Sequence, residues 1–262
     1  MSLTGKTKAG SYKDLLQMNN SNSGVDGTLR TVTDGEGTVS ALGLADDSVK
    51  ILPQNDDTTE TFTVTDKDNN SLLKVDSTND LVKAGAGQHI VNTQIKDFCI
   101  TSVNSQPSSA NTWTALSSIG SARFVGALEL GTGSTPDTSL TISNTAHNVA
   151  QAMWYVPLDI TIDSCNVWIG ADDASGDGVK FSVMSYTVDS SNGSTSGDLS
   201  SGSEVCVSPS TVPGAGYEQV HYQALTVSSA NVASGKVIMA CVHQDGTNAD
   251  LTVNMQLVYH LR

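Results

Sequence analysis

The sequence has little that would support a metal centre or a disulfide framework. Among 262 residues there are four cysteines and five histidines, and aromatic residues make up 5% of the chain. The cysteines, Cys99, Cys165, Cys206 and Cys241, are far apart and form no C-x-x-C pair, so neither a zinc site nor a dense disulfide framework is expected. We expect reduced, half-buried strand cysteines that behave as small hydrophobic side chains.

Basic residues are also scarce, with 13 Lys and Arg against 27 Asp and Glu, a net charge of −14 and a pI near 4.4. Such a field repels nucleic acid and anionic membranes, so we expect neither as a partner. No apolar run approaches the ~20 residues of a membrane span, and no N-terminal stretch has the pattern of a signal peptide. Membrane insertion is therefore not expected.

Motifs that carry known chemistry are missing. The chain contains no G-x-S-x-G, G-x-x-x-x-G-K-[ST] or H-E-x-x-H segment. The histidines are not clustered, and surface or interface roles are favoured over metal binding or acid–base work; they are His89, His147, His221, His243 and His260. We predict no catalytic, cofactor or metal site and expect the protein not to be an enzyme.

Helix-forming segments are nearly absent, since only residues 12–18 could form a turn or two. Ser, Thr, Gly, Asn, Asp and Val dominate elsewhere. These residues favour turns and β-strands, so the composition predicts an all-β protein of many short strands.

Residues 1–50 are predicted to form an extended N-terminal arm. The polar stretch 19–24 cannot bury itself. Residues 28–33 and 38–42 flank the glycine-rich segment 34–37, which predicts a hairpin. We expect the arm to be disordered or mobile until it attaches to a larger assembly.

Residues 51–102 are predicted to form a short β shaft. In a second hairpin, Phe62 and Val64 share one face, and Leu73 and Val75 lie opposite them. A lone hairpin of this size is marginal in water, so its apolar face needs a partner. Identical copies around a threefold axis would supply one.

Residues 103–118 are predicted to be a linker, and residues 119–262 a C-terminal jelly-roll-like β-sandwich. The predicted strands are 122–130, 139–142, 150–156, 158–169, 179–188, 204–207, 217–227, 236–243 and 251–259. Their number and spacing are typical of a sandwich or jelly roll.

Three of these strands have informative patterns. The apolar positions of residues 158–169 change from even to odd numbers, which predicts a bulge near Asp163 and Ser164. Residues 237–242 are apolar throughout, as expected for a strand covered on both faces. Residues 251–259 alternate cleanly between an apolar and a polar face.

The candidate recognition surface consists of loops 170–178 and 189–203 and the segment 213–217. Its named residues are Asp172, Asp173, Asp177 and Tyr217. The acidic residues resemble a calcium loop, but their spacing departs from that motif, so a solvated hairpin turn is favoured over cation binding. Loops on a rigid β scaffold are where binding residues concentrate.

The aromatic residues allow two interpretations. Trp113, Trp154 and Trp168, with Tyr155, Tyr217 and Tyr222, could form a sugar-stacking platform or could pack in the core or between subunits. Packing is favoured. Trp168 lies on the polar side of its strand, together with Asn166, and is expected to be partly exposed or interfacial.

Several segments resemble phage proteins. Residues 4–17, 19–25, 30–37 and 40–45 resemble the N-terminal segment of virion structural or fibre proteins of marine and environmental tailed bacteriophages. Residues 61–66, 73–79 and 82–85 are similar to the short β-repeats of trimeric phage fibre shafts. Residues 198–202 and 259–262 resemble the compact β-domains that close such fibres.

This resemblance implies a homotrimer on the virion, made in the host cytoplasm. The arm would dock to phage capsid or tail proteins, and the C-terminal head would face outward and contribute to attachment, with a host surface glycan or protein as a further partner. It implies no catalytic residues. The alternative is a capsid-decorating cement or head-fibre protein. A depolymerase is disfavoured because the chain has no long β-helical region with paired carboxylates.

Overall fold

The all-β class is confirmed by the structure, a computed structural model. It describes residues 15–21, 23–85, 87–91, 93–101, 111–119, 128–172, 177–214, 219–244 and 250–262. The described elements are 19 strands and one short helix, α1 (Ala146–Ala152). The chain divides into two compact units, Met1–Val91 and Asn92–Arg262. No described helix has the length and hydropathy needed to cross a membrane.

The N-terminal unit contains two antiparallel sheets of four strands, each connected in sequence order. The first sheet consists of β1 (Gln17–Met18), β2 (Arg30–Thr33), β3 (Val39–Leu44) and β4 (Val49–Ile51). The second consists of β5 (Phe62–Thr65), β6 (Ser71–Asp76), β7 (Leu81–Ala84) and β8 (His89–Ile90).

Both predicted hairpins are present, and their turns have the same construction. The Oδ1 atom of Asp34 accepts backbone N–H bonds from Glu36 at 2.9 Å and Thr38 at 2.8 Å. In the second sheet, Oδ1 of Asp66 accepts the corresponding bonds from Asp68 at 2.9 Å and Asn70 at 2.8 Å. A turn aspartate that caps its own backbone in this way fixes the hairpin register.

The predicted cross-strand pairs of the second hairpin are also confirmed, with Phe62 opposite Val75 and Val64 opposite Leu73. The predicted arm differs from the structure, however. Its described residues are not extended, because β1 to β4 form an antiparallel meander. In the proposed helical segment 12–18, residues 12–14 lie outside the described residues, and Gln17 and Met18 form β1.

The C-terminal unit is built on one large folded sheet. Its strands are β9 (Thr93–Thr101), β10 (Thr112–Ala115), β11 (Trp154–Tyr155), β12 (Ile160–Asp172), β13 (Asp177–Val188), β14 (Leu199–Val207), β15 (Val212–Gly214), β16 (Gln219–Val227), β17 (Asn231–Val232), β18 (Lys236–Gln244) and β19 (Asp250–Leu261). The main path runs β10-β18-β13-β14-β16-β12-β19-β9, with β11, β15 and β17 at its sides.

Two apolar clusters stabilise this unit. The first joins both halves of the sheet: Val167 of β12 and Met255 of β19 pack in one cluster with Phe181 of β13 and Ile238 of β18. This arrangement is that of a sheet folded over its own core. The jelly-roll connectivity itself remains a prediction.

The second cluster lies on the other face of β18 and β13. Met239 and Met184 pack there with Trp113 of β10 and with Val149 of α1. Residues 237–242 of β18 are fully buried, which confirms the prediction of a strand covered on both faces.

The unit boundary differs from the predicted one. β9 pairs with β19 along nine residues, and β10 pairs with β18. Phe98 and Trp113 are buried in the two clusters. The end of the predicted shaft and the second half of the predicted 103–118 linker therefore belong to the C-terminal unit.

The bulge predicted in β12 is confirmed, since the register with β19 shifts between Ile162 and Ser164. Residues 150–156 are not one strand, because α1 occupies the first part and β11 the last. Val149 and Ala152, three residues apart, bury the same helix face in the second cluster.

Candidate functional site

The predicted recognition loops do not all lie together. Register pairs Asp177 with Gly214 and Ala171 with Gln219, so the strands flanking 170–178 and 213–217 meet at one edge of the sheet. The turn between β13 and β14 lies at the opposite end, where Val188 pairs with Leu199.

The strands on either side of the acidic segment do not pair with each other. β12 pairs with β16, β17 and β19, whereas β13 pairs with β14, β15 and β18, and residues 173–176 between them lie outside the described residues. Asp172 ends β12 and Asp177 begins β13, while Asp173 and Tyr217 lie outside the described residues. The described side chains contain no cluster of three or more potential metal ligands.

The second loop is ordered by its own carboxylates. Asp189 accepts a backbone N–H bond from Ser191 at 2.8 Å and the hydroxyl of Thr195 at 2.6 Å. These hydrogen bonds hold the pKa of Asp189 below its usual value, and the bond from Thr195 has the largest effect. Asp198 accepts the backbone N–H of Ile142. Both carboxylates stabilise the loop, and residues 199–203 belong to β14 rather than to the loop.

Each of the three tryptophans packs against a neighbouring ring, and two of them are buried or half-buried. The indole of Trp113 lies 5.0 Å from the ring of His243, and Trp154 lies 5.0 Å from the ring of Tyr259. Trp113 is buried and Trp154 half-buried. The packing interpretation is therefore correct for these two residues.

Trp168 differs, because it stands on the outer face of the sheet with 49% of its surface exposed. Its ring contacts Tyr222 on the neighbouring strand β16, with the ring centroids 5.0 Å apart and tilted by 49°. Tyr222 is 53% exposed. The prediction that Trp168 is partly exposed is confirmed.

Strand register places amide side chains beside this aromatic pair. Trp168 lies opposite Asn254 on β19, and Asn166, the next outward residue of β12, lies opposite Gln256. Asn254 and Gln256 are exposed. We call the set Trp168, Tyr222, Asn166, Asn254 and Gln256 the outer aromatic face.

The outer aromatic face is rigid. Tyr222 donates its hydroxyl to Oδ1 of Asn166 at 2.8 Å, which fixes both side chains. The inward residues Val167, Ile169 and Met255 of the same strands are buried in the first cluster. Side chains on central strands of a packed sheet lose little conformational entropy on binding.

Sequence patterns indicated the exposure of Trp168 but not this grouping. The polar alternation of β12 and β19 is visible in the sequence, whereas the pairing of Trp168 with Tyr222 and Asn254 depends on strand order. Strands β12, β16 and β19 are separated by tens of residues, so register between them is not a local property.

One histidine differs from the expected surface role. His260 is buried, and its Nδ1 atom lies 2.9 Å from a carboxylate oxygen of Asp163, at the bulge of β12. The pair joins β12 to β19 where the ladder is interrupted. Its position indicates a structural function.

The cysteines are unpaired thiols, and three of them are buried. Cys165 and Cys206 are hydrogen-bonded to each other in the first cluster; this bond and burial raise the pKa of Cys165 far above its usual value. Burial similarly raises the pKa values of Cys241 and Cys99. Thiols with raised pKa values are poor nucleophiles, so Cys99, Cys165 and Cys241 do not resemble catalytic cysteines.

The N-terminal unit presents a different surface. Of its described apolar side chains, only Val32 is buried. Its large apolar side chains that are exposed are Leu15, Leu16, Val25, Leu29, Val39, Val49, Leu52, Phe62, Val64, Leu72, Val82 and Val91. We call these the N-terminal apolar surface.

No protein-family model and no curated protein sequence matches the chain.

Proposed function

We propose that this protein is a structural component of a tailed-phage virion, a trimeric fibre or spike that contributes to host attachment. The observation that carries this proposal is the N-terminal apolar surface. The virion location and the trimeric state in this proposal rest on the resemblance of the sequence to phage fibre proteins.

Single copies of the N-terminal sheets bury too little to be stable. Small sheets are stable in water only when their apolar face is covered. Here Phe62 is 40% exposed and Val49 is 66% exposed, and Val32 is the lone buried apolar side chain among the described residues before position 92. Exposed apolar side chains on sheets this small favour coverage by a partner surface.

Identical copies can cover these faces. Three chains around one axis would bring three equivalent sheets together, and closed cyclic symmetry would cover the same surface in every copy. The aspartate-capped turns at Asp34 and Asp66 favour such a repeated unit, because they fix each hairpin without requiring a core.

The C-terminal unit has its own core and needs no partner for stability. Its two clusters bury large side chains such as Phe181 and Tyr186 completely. A stable β unit that exposes aromatic and amide side chains is suited to be the outward-facing head of a fibre.

The proposal is tested on particles of the phage whose genome encodes this chain. Mass spectrometry of purified particles and labelling with antibodies against the C-terminal unit should find the protein on tail appendages. Antibody bound to the C-terminal unit should reduce adsorption to host cells. Absence of the protein from purified particles would refute a virion function.

The same labelling separates the proposed fibre from the alternative. Label spread over the capsid, with a copy number close to that of the capsid subunits, would assign the protein to capsid decoration. Deletion of residues 1–50 should remove it from particles in either case, because that segment is the proposed attachment region.

A further inference from the structure

We propose that the outer aromatic face is a carbohydrate-binding site for an uncharged glycan. The inference deepens the proposed function, on which it rests only for the biological origin of the glycan. The structural argument depends on the described residues of β12, β16 and β19.

The two rings provide an apolar surface whose desolvation on binding is favourable. A pyranose ring has a face of C–H groups that stacks on indole or phenol, and aromatic side chains bury large apolar areas in such contacts. Trp168 and Tyr222 are each about half exposed, and their contact with each other holds both rings in place. A sugar can therefore stack without ordering mobile side chains.

The amides supply hydrogen bonds beside the rings. Each amide carries two donors and an acceptor with two lone pairs, which suits sugar hydroxyl groups that both donate and accept. In the part of the chain that the structure describes, neither Asn254 nor Gln256 makes a side-chain hydrogen bond, and both are exposed. They lie directly opposite Trp168 and Asn166 in register.

Space next to the indole is also open. Gly170 is the next outward residue of β12 after Trp168, and a Cβ atom there would approach only Thr252, with its nearest contacts at 3.9 and 4.0 Å. The outer row therefore has a gap beside Trp168. A ligand can lie against the side of the indole as well as across its face.

Charge on this face selects the class of glycan. The outer aromatic face carries no ionisable side chain apart from the Tyr222 phenol, and Asp97 on β9, opposite Gln256, is the nearest charge in that row. The whole chain carries a net charge of −14, which repels polyanions. Neutral hexose or N-acetylhexosamine units fit this surface better than sialylated or sulfated ones.

The test uses the full-length protein on an array of neutral glucans, galactans, mannans and N-acetylglucosamine oligomers, with sulfated and sialylated glycans as charged probes. We expect binding to at least one neutral series. Trp168→Ala and Tyr222→Ala should each weaken it by roughly tenfold or more, as removal of a central aromatic contact does. Tyr155→Ala is the matched control, because Tyr155 is 54% exposed but lies on β11, outside this face.

Gly170→Leu provides a second variant that keeps every proposed contact residue. Its side chain would fill the open space beside Trp168 and should reduce binding by steric exclusion. Acrylamide quenching gives an independent measurement, since Trp168 is the most exposed of the three tryptophans and bound glycan should protect it.

Three outcomes would overturn the inference. These are no binding to any neutral glycan, unchanged binding in Trp168→Ala, and dissociation of the oligomer in Trp168→Ala, which would assign the face to a subunit interface. The two proposals fail separately. Glycan binding by a protein that is absent from particles would refute the virion function alone, whereas a particle-bound protein that binds no glycan would refute this site alone.

Discussion

The two units of the chain contain similar strands but differ in how their apolar side chains are buried. The C-terminal unit covers both faces of β18 and β13 with its own side chains, so that Ile238 and Met239 are both fully buried although they point to opposite faces. The N-terminal unit exposes its apolar side chains and specifies its shape through turns. A strand pattern can thus mark a buried core in one unit and exposed apolar side chains in another.

This comparison predicts that the C-terminal unit folds on its own only if the fragment includes β9 and β10. A fragment of residues 92–262 should fold cooperatively, because it contains β9 and β10. A fragment of residues 119–262, the head expected from sequence, loses Phe98, Ile100, Trp113, Ala115 and Leu116, all buried. We expect it to be insoluble or unfolded by circular dichroism, and a cooperative melt close to that of the longer fragment would contradict the assignment of β9 and β10.

A matched pair of phenylalanine truncations sharpens the comparison. Phe181 is fully buried, so Phe181→Ala should lower the free energy of unfolding of the C-terminal unit by about 3–5 kcal/mol without changing subunit mass. Phe62 is 40% exposed in a single chain, so Phe62→Ala should weaken self-association and leave the C-terminal melt unchanged. Calorimetry and sedimentation measure the two effects.

Equal loss of C-terminal stability in both variants would contradict this separation. Tyr155→Ala, an exposed aromatic truncation in the C-terminal unit, controls for general effects of removing a ring.

Acid should weaken the N-terminal unit, in which hydrogen-bonded carboxylates have lowered pKa values. A hydrogen bond from Arg30 lowers the pKa of Asp26 from 3.8 to about 2. Hydrogen bonds, foremost that from the backbone N–H of Thr38, lower the pKa of Asp34. Hydrogen bonds, foremost that from the side chain of Asn70, lower the pKa of Asp66. A carboxylate with a lowered folded-state pKa stabilises the fold above its unfolded-state pKa, and this stabilisation disappears as pH falls through the folded value.

Association should therefore weaken between about pH 4 and pH 2, as these carboxylates become protonated. Asp66→Ala should reduce stability at neutral pH by removing the turn bonds, whereas Asp68→Ala, which removes an exposed ion pair with Lys67, should not. Light scattering from pH 7 to pH 2 checks the first statement, and thermal melts check the second. An oligomer that persists unchanged at pH 2 would show that the turn carboxylates are unimportant.

The smallest expected effect concerns the thiols. Cys99 is half-buried, while Cys165, Cys206 and Cys241 are buried in the two clusters of the C-terminal unit. Alkylation of the native protein at pH 8 should modify Cys99 first, and the others only after unfolding, as mass spectrometry can follow. Rapid labelling of Cys241 in the native state would contradict the second cluster.

Much of the local structure could be predicted from sequence. The two N-terminal hairpins, the bulge beside Asp163 and the fully covered strand 237–242 follow from period-two patterns and turn residues, which act over a few positions. The unpaired state of the cysteines was also expected from their wide spacing, although three of the four are buried rather than half-buried.

The remainder depended on contacts distant in sequence. β9 and β10 pair with strands more than 100 residues later in the chain. Local sequence patterns do not show such pairing, so residues 103–118 were predicted to be a linker. The grouping of Trp168 with Tyr222 and Asn254 likewise required strand order. Helix α1 was missed because its short apolar spacing also fits a strand, and packing of Val149 against the second cluster decided between them.

The central claim is that the N-terminal apolar surface is covered by other copies of the chain. The most direct test is the mass in solution, by light scattering at micromolar concentration, of the full chain, of residues 92–262, and of a Phe62→Asp, Val64→Asp variant. We expect the full chain to have three times the mass of one 27.3 kDa chain, and the fragment and the variant to be monomeric. A monomeric full-length protein would contradict the account.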